Sequence, residues 1–406
     1  EYRRVAAFQR MHGLEVEEIS PAQMSELFPW AKTDDLHAGF WVPGDGRVNP
    51  VDLTMALAKG ARQRGVTVLE SSPVLEVLTT DDPLPRIRGV RTAEGEIECE
   101  YVVNATGMWA RELAERSGVV VPNQAAEHYY LITERIPGLS ASWPVLEDPA
   151  SYGYYREEVG GLMIGLFEPA CAPWRLDGVP EDFSFGEIQP DWDRMGGYIE
   201  TAMRRVPMAT NVGVRKLFCG PESFTPDLAP CVGEAPELKN YFVAAGLNSI
   251  GILTGGGLGR VMAHWILTGR PDVDVTGMNL DRLHAYQANP EYRRTRTVEF
   301  NDPRIVCPDK RRMFRRQLAQ VFALGSKCVD EDFRLFGRQL PRNLEDLDGH
   351  GFVEIDLCGA INHAETTLAH HAFDLVTCVE DLSFEFERID FGHDVPARGC
   401  VFGWAG

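Results

Sequence analysis

The chain has no long apolar run: apolar residues make up 44% of its 406 positions and charged residues 25%. That balance is typical of a folded globular protein with a substantial core, and it indicates no membrane span. Basic residues are also scarce, because 40 Lys and Arg face 60 Asp and Glu, for a net charge of −20. Since a duplex-binding surface needs clustered cations, the charge excludes nucleic acid as the expected partner and favours a small molecule.

Paired cysteines are absent as well. The nine cysteines lie singly, with an odd total and no CxxC spacing, which argues against a disulfide framework or a zinc site and predicts reduced thiols. His363, His370 and His371 lie near acidic residues but match no known metal-ligand spacing. We therefore expect a solvated or poorly folded segment there and no metal site.

The sequence also lacks the GxGxxG fingerprint of a dinucleotide-binding fold, with its acidic residue about 20 positions further on. Its first residue is Glu1 rather than Met, and the amphipathic segment that follows does not resemble a targeting peptide. We expect the first βαβ unit, and any targeting segment, to precede Glu1.

The order of the apolar patterns predicts an α/β fold. A helix is predicted over 50–65 by PVDLTMALAKGARQRG, and strands are predicted by VTVLESSPVLEVLTT, RIRGVRTAEG and EIECEYVVNATG. Alternating aromatic segments such as YGYYREEVGGLMIGLFE then predict an antiparallel sheet. The α/β pattern returns afterwards, so the antiparallel domain is expected to be an insertion in the first.

Two junctions of strand, glycine and helix indicate a nucleotide or flavin site. Residues 241–268 run YFVAAGLNSIGILTGGGLGRVMAHWILT, with a helix expected from about Gly257, and residues 101–115 run YVVNATGMWARELAE. Glycine allows close approach of the backbone, and a helix N-terminus attracts an anion. An ordinary tight connection explains either junction alone, but two in one α/β domain favour a shared nucleotide.

Six ordered segments give a family resemblance over about residues 1–300. They read GDGRVNP, NATGMWAREL, EHYYLITERIPGL, YYREEVGGLMIGLFE, GPESFTPDLAPCVGE and GLNSIGILTGGGLGR. Together they resemble the FAD-dependent amine dehydrogenases of the D-amino-acid-oxidase superfamily, in the branch of dimethylglycine and sarcosine dehydrogenases. The regulatory subunit of pyruvate dehydrogenase phosphatase is similar too. The match fades after RTVEF.

The resemblance implies a D-amino-acid-oxidase-like α/β (α+β) fold, in which a partial Rossmann-like FAD-binding domain carries an inserted antiparallel-sheet substrate domain. The expected divisions are 1–49 in the substrate domain, 50–125 in the FAD-binding domain, 126–215 in the substrate domain, 216–280 again in the FAD-binding domain, and 281–406 as a divergent, poorly folded tail.

The resemblance also implies the site residues. His128 matches the family's active-site histidine, and its pKa near neutrality suits the proton of an amine. Tyr154 and Tyr155 match the catalytic tyrosine; because they point to opposite faces of a strand, only one can meet the flavin, and we favour Tyr154. The implied FAD contacts are Val74, Ala105, Thr106, Gly107, Trp109, Pro226, Asp227, Gly246, Asn248, Ser249, Gly251, Gly255, Gly256 and Gly257.

The implied reaction is oxidation of an N-methyl group of dimethylglycine or sarcosine. Hydride passes from the methyl carbon to flavin N5, and water releases formaldehyde from the resulting iminium. A cation for the substrate carboxylate is expected, with the choice among Arg156, Arg215 and Arg260 left open. FAD is the expected cofactor, and tetrahydrofolate would join it only if a further C-terminal domain exists.

Two alternatives stay open from sequence: a non-catalytic regulatory protein on the same fold, and another FAD-dependent amine or amino-acid oxidase. The expected partners are a methylated amine and either an electron-transfer partner or oxygen as acceptor. The expected compartment is the mitochondrial matrix in a eukaryote and the cytoplasm in a bacterium.

Overall fold

The computed structural model describes residues 2–168, 171–300 and 400–403. The helices are α1 (Tyr2–Met11), α2 (Pro21–Leu27), α3 (Pro50–Gln63), α4 (Ala110–Arg116), α5 (Trp192–Met203), α6 (Gly251–Thr268) and α7 (Pro290–Phe300). The strands are β1 (Glu17–Ile19), β2 (Gly39–Trp41), β3 (Glu76–Thr79), β4 (Ile87–Thr92), β5 (Gly95–Glu98), β6 (Tyr101–Asn104), β7 (Gln124–Arg135), β8 (Leu146–Asp148), β9 (Gly153–Glu158), β10 (Gly161–Leu166), β11 (Val214–Phe224), β12 (Cys231–Glu234), β13 (Tyr241–Ala245) and β14 (Cys400–Gly403).

Local side-chain chemistry sets several helix ends. Ser20 and Gln23 form a capping box at the start of α2, and the Asn49 side chain accepts from two backbone amides at the start of α3. Each cap satisfies N–H groups that have no partner inside the helix. At the C-terminal end of α6, Gly269 has a φ of 79°, in the left-handed conformation that ends many helices.

The largest sheet is antiparallel, with the strand order β11-β7-β10-β9-β8. One face packs against α5 and Phe28, through a buried cluster that includes Tyr129, Tyr155 and Met195. The other face carries a smaller aromatic cluster around Tyr130 and Tyr154. Because side chains alternate along a strand, β7, β9, β10 and β11 each contribute to both clusters.

The second sheet has the order β12-β13-β6-β14, with β13 and β14 both parallel to β6. A three-stranded antiparallel sheet, β3-β4-β5, shares its hydrophobic core, which includes Val90, Val102 and Val243. The opposite side of β13 packs against α6 through Phe242, Leu258 and other residues. Parallel strands covered by helices are typical of an α/β domain, and the predicted α/β fold class is confirmed. None of the described helices combines the length and hydropathy needed to cross a bilayer.

Two local predictions were wrong. No strand forms over residues 66–70; Val66 and Leu69 are 40% and 58% exposed, and none of the described strands pairs with them. A strand needs such a neighbour for its backbone groups. Helix α6 begins at Gly251 rather than near Gly257. Its early glycines fit because Thr254 and Gly257 are buried, so packing compensates for their poor helix propensity.

The described fold also continues past the boundary expected at Asp281. Leu283 and Gln287 are buried, and Arg293 is only 2% exposed. The Arg293 guanidinium donates to the side chain of Gln124, at the start of β7, and to the Leu176 carbonyl oxygen. The segment 281–293 is therefore attached to the body of the protein, while His363, His370 and His371 lie outside the described residues.

A buried arginine fastens the N-terminal residues to the antiparallel sheet. Arg205 follows α5, and its Nε donates to Asp148 on β8 at 2.7 Å. The same guanidinium donates twice to Asp35, at 2.7 and 3.1 Å. The side chains of Arg205 and Asp148 are 6% and 9% exposed, so neither charge is well solvated and each depends on the other.

Arg205→Met should therefore destabilise the protein by about 3–5 kcal/mol, because it leaves the Asp148 carboxylate buried without its partner. Arg204→Met is the matched control: Arg204 pairs with Glu200 but both side chains are about 70% exposed, and loss of such a pair costs about 0.5 kcal/mol or less. Denaturant unfolding of both variants measures the difference. Equal losses would contradict the role assigned to Arg205.

Candidate active site

The loop after β6 is held open by one buried side chain. Asn104, fully buried, donates from Nδ2 to the Ala110 carbonyl oxygen at 2.8 Å and to the Tyr241 hydroxyl at 2.9 Å. Its Oδ1 accepts from the Thr106 hydroxyl at 2.8 Å. Residues 105–109 are therefore fixed, and the φ of +59° at Gly107 suits a residue without a side chain.

The loop after β13 has a similar anchor. Asn248 accepts from the Thr225 amide at 2.8 Å and donates to the Gly246 carbonyl oxygen at 2.6 Å. Gly246 has a φ of +65°, and a Cβ there would lie 2.5 Å from the Thr225 side chain. Asn248 and Ser249 also have positive φ values. This loop is thus a tight turn that only specific residues can form.

The two loops lie at the same end of neighbouring parallel strands, since Val243 is the register partner of Asn104. Asn123 joins them: its Nδ2 donates to the Gly107 carbonyl oxygen at 3.1 Å and to the Ser223 hydroxyl at 3.0 Å. The Ser223 carbonyl oxygen in turn accepts from the Asn248 amide. The predicted halves of the cofactor site are thereby connected through the end of β11.

The N-terminal part of helix α6 could bind an anion and a planar ring system. Within the part of the chain that the structure describes, no side chain caps its first turn, and the turn itself holds no acidic residue, so its first N–H groups can donate to a ligand. A Cβ at Gly255, Gly256 or Gly259 would meet nothing within 4 Å. This open, side-chain-free surface fits the pyrophosphate and planar ring of FAD.

His128 and Tyr154 lie on one face of the antiparallel sheet, on either side of Phe167. The His128 and Phe167 ring centroids are 5.4 Å apart, and those of Tyr154 and Phe167 are 5.7 Å apart. On the same face, Tyr130 stacks on Phe218 at 4.4 Å. The result is an aromatic floor with one imidazole, which suits methyl groups and cations.

Gly165 makes this floor possible. The Tyr154 ring lies across it, and a Cβ at Gly165 would be 1.5 Å from the Tyr154 ring. Gly220, the register partner of His128 on β11, is similarly covered by Phe218, with a Cβ distance of 2.7 Å. The two glycines therefore decide where the aromatic rings lie.

Tyr155 lies on the opposite face, away from His128. Its hydroxyl donates to the Ala202 carbonyl oxygen at 2.7 Å and is 2.9 Å from the Ser151 hydroxyl. Burial raises the pKa of Tyr155. This side chain anchors α5 to the sheet, and the geometry favours Tyr154 over Tyr155 as the active-site tyrosine.

The other predicted contacts are spread more widely. Val74 packs against the core beside β3, and the Trp109 indole donates to the Pro180 carbonyl oxygen at 3.4 Å. Asp227, next to Pro226, forms a two-point ion pair with Arg282 at 2.8 and 3.0 Å. The Asp227 carboxylate is therefore held by Arg282 rather than left free for the cofactor. The residues of the loops around Gly107 and Gly246, in contrast, lie close to one another.

Burial lowers the pKa of His128 to about 4, not near neutrality as expected from its type. The imidazole is therefore neutral at physiological pH. Of the three candidate arginines, Arg156 lies on the face of Tyr154, two residues along β9, and pairs with Glu158 at 2.6 Å. Arg260 pairs with Asp272 at 2.6 Å, and Arg215 is exposed.

A family model described as FAD dependent oxidoreductase (DAO) matches residues 1–265. The chain belongs to this family of flavoproteins. Human mitochondrial sarcosine dehydrogenase is 36% identical over 82% of the chain, and rat mitochondrial dimethylglycine dehydrogenase is 36% identical over 78%. The mouse mitochondrial regulatory subunit of pyruvate dehydrogenase phosphatase is 34% identical over 73%. The chain spans 37%, 38% and 34% of the length of these three relatives.

Solved structures share the fold of this chain. L-proline dehydrogenase from P. horikoshii superposes with a TM-score of 0.56 and 24% identity, covering 66% of this chain and 69% of that one. At that identity the likeness concerns the fold alone. The predicted family and its cofactor, FAD, are confirmed by the family match, whereas the assigned site residues stay predictions.

The sequence analysis did not identify three residues of the candidate site. Phe167 lies between His128 and Tyr154, Asn123 connects the two cofactor loops, and Glu222 lies on the His128 face of β11. The alternation of side chains along a strand places Glu222 and Gly220 on one face. No local pattern in the sequence identifies β7 as the strand that pairs with β11, so the sequence alone does not place Glu222 near His128.

Gly165→Ala should displace the Tyr154 ring and destabilise the protein by about 1–3 kcal/mol, as over-packing of a core does. Gly197→Ala in α5 is the control, because a Cβ there meets nothing within 4 Å and should stabilise the helix by about 0.5–1 kcal/mol. Denaturant unfolding and near-ultraviolet circular dichroism measure both effects. Stabilisation by both substitutions would contradict the packing described.

The stability of the protein should also depend on His128 at mildly acidic pH. The unfolded imidazole binds a proton near pH 6.5, but the folded one does so only near pH 4. The wild type should therefore lose stability relative to His128→Gln as the pH falls from 6.5 to 4. Unfolding free energies of the two proteins across this range measure the loss. A difference independent of pH would contradict the low pKa.

Proposed function

We propose that this chain forms the substrate-binding face and part of the cofactor site of an enzyme that oxidises an N-methylated glycine, such as sarcosine or dimethylglycine. The observation that carries the proposal is the neutral imidazole of His128, whose Nε2 is buried, on the same aromatic floor as Tyr154. The names of the relatives, sarcosine and dimethylglycine dehydrogenase, support the substrate class.

The chain's own residues would prepare the amine. An N-methylglycine arrives mainly as an ammonium ion, which cannot lose hydride from its methyl carbon until its nitrogen is neutral. His128 would accept the N–H proton, since its imidazole is unprotonated at neutral pH. The rings of Tyr154 and Phe167 would hold the methyl group and exclude water. Bound FAD supplies the two-electron oxidation.

Asn104, Asn123 and Asn248 would hold the cofactor loops in position, and the first turn of α6 would receive the pyrophosphate. Water then adds to the oxidised N-methyl group, and the C–N bond breaks to give formaldehyde and the demethylated amine. Arg156 is the proposed contact for the substrate carboxylate, because it lies on the Tyr154 face. Reoxidation would use an electron-transfer protein or oxygen.

His128→Ala should slow flavin reduction by about 10²-fold or more, because the amine loses its base. The measurement is anaerobic bleaching of the flavin absorbance of the FAD-loaded protein by sarcosine and by dimethylglycine. His37→Ala is the control, since His37 is exposed and its loss should leave the rate unchanged. An unchanged rate in folded, flavin-loaded His128→Ala protein would remove His128 from the mechanism.

The same experiment distinguishes the regulatory alternative, which the similarity to the phosphatase regulatory subunit favours. A wild-type protein that holds FAD but is bleached by no N-methylated amine would support a regulatory role. Bleaching in the presence and absence of oxygen separates an oxidase from a dehydrogenase.

A further inference from the structure

Glu222 lies on the same face of the sheet as His128 and nearer to the cofactor loops. On β11, Gly220 is the register partner of His128, and Glu222 is the partner of Ala126. Residues two apart on a strand share a face. The carboxyl group of Glu222 therefore follows His128 along the floor, in the direction in which β11 continues toward Thr225 and its partner Asn248.

The carboxyl group also lies next to the loop after β13, because the Asn248 amide of that loop donates to the carbonyl oxygen of the adjacent Ser223. Oε1 of Glu222 accepts from the Ser223 amide at 3.3 Å. Burial raises the pKa of Glu222, while hydrogen bonding from Ser223 and Ser249 favours its charged form. Since Ser249 belongs to the loop expected to cover the flavin, Glu222 lies between that loop and the aromatic floor.

Glu222 differs from the other carboxylates nearby in having no cationic partner. Glu127, adjacent to His128 but on the opposite face, pairs with Arg194 at 2.8 Å. On the floor itself, Glu158 pairs with Arg156 at 2.6 Å. Within residues 2–168 and 171–296, Glu222 forms no ion pair with Lys or Arg. A partly buried carboxylate without such a partner attracts a cation.

We propose that Glu222 binds the ammonium group of the substrate, and this inference rests on the proposed function. The carboxylate would form the cation site beside His128. The charge of the bound ammonium favours the ionised form of Glu222, whose pKa burial raises. When the ammonium N–H bond breaks and an N–H bond forms on the imidazole, the carboxylate stabilises the positive charge that His128 gains. The site selects amines that arrive as cations.

The test compares a ligand that carries a permanent positive charge with one that carries none. Trimethylammonioacetate carries a permanent positive charge and has no N–H, whereas methylthioacetate has the same carboxylate beside an uncharged sulfur. The Kd of each is measured from the perturbation of the flavin spectrum of FAD-loaded wild type, Glu222→Gln and Glu222→Asp. The ratio of flavin to protein reports whether each variant still folds and holds FAD.

Glu222→Gln should raise the Kd of trimethylammonioacetate by about tenfold or more, as expected for loss of a charged contact. The Kd of methylthioacetate should stay unchanged or fall. Glu222→Asp should retain the preference for the cation. Equal weakening of both ligands would show a purely structural role and overturn the inference, as would no change in either.

The two hypotheses fail in different ways. Wild type that binds neither ligand and is not bleached by N-methylated amines overturns the proposed function and this inference together. Wild type that is bleached by these amines, but whose Glu222→Gln variant keeps the preference for the charged ligand, overturns only the role of Glu222.

Discussion

The pairing of β7 with β11 is the constraint on which the candidate site depends. It runs from Phe224–Gln124 to Val214–Thr133 and places His128, Phe218 and Glu222 on one face. The same strand end carries Ser223, whose hydroxyl and carbonyl oxygen connect the two cofactor loops through Asn123 and Asn248. One ladder of backbone hydrogen bonds thus positions both the substrate face and the cofactor loops relative to each other.

Buried polar groups in this region have distinct uses. Three side-chain amides donate hydrogen bonds to backbone carbonyl oxygens and to neighbouring side chains: those of Asn104, Asn123 and Asn248. These bonds rigidify loops that would otherwise be mobile. Arg205 uses its guanidinium to neutralise Asp148. His128 is different, because burial keeps its imidazole neutral. The three asparagines and Arg205 fix the geometry, and His128 is the titratable group that the proposed function uses.

The sequence predicted much of the architecture because hydrophobic periodicity and glycine placement are local signals. Both junctions of strand, glycine and helix are present. The alternation of side chains along β9 predicts correctly that Tyr154 and Tyr155 lie on opposite faces of the sheet. Packing decided the start of α6, since Thr254 and Gly257 are buried although the glycine run favours a loop. Glu222 could not be predicted because its neighbours come from β7, far away in the chain. Register between distant strands is not encoded in any short segment.

The same topology has a consequence for how the protein reaches its folded state. β7 pairs with β10 across a short stretch of chain, whereas β11 and β13 pair with strands about 90 and 140 residues away. Closing such long loops before the contacts form slows folding and leaves strand edges exposed in the meantime. We therefore expect the face that carries His128 to be completed late, and the edge of β7 to be an early point of association with other unfolded chains.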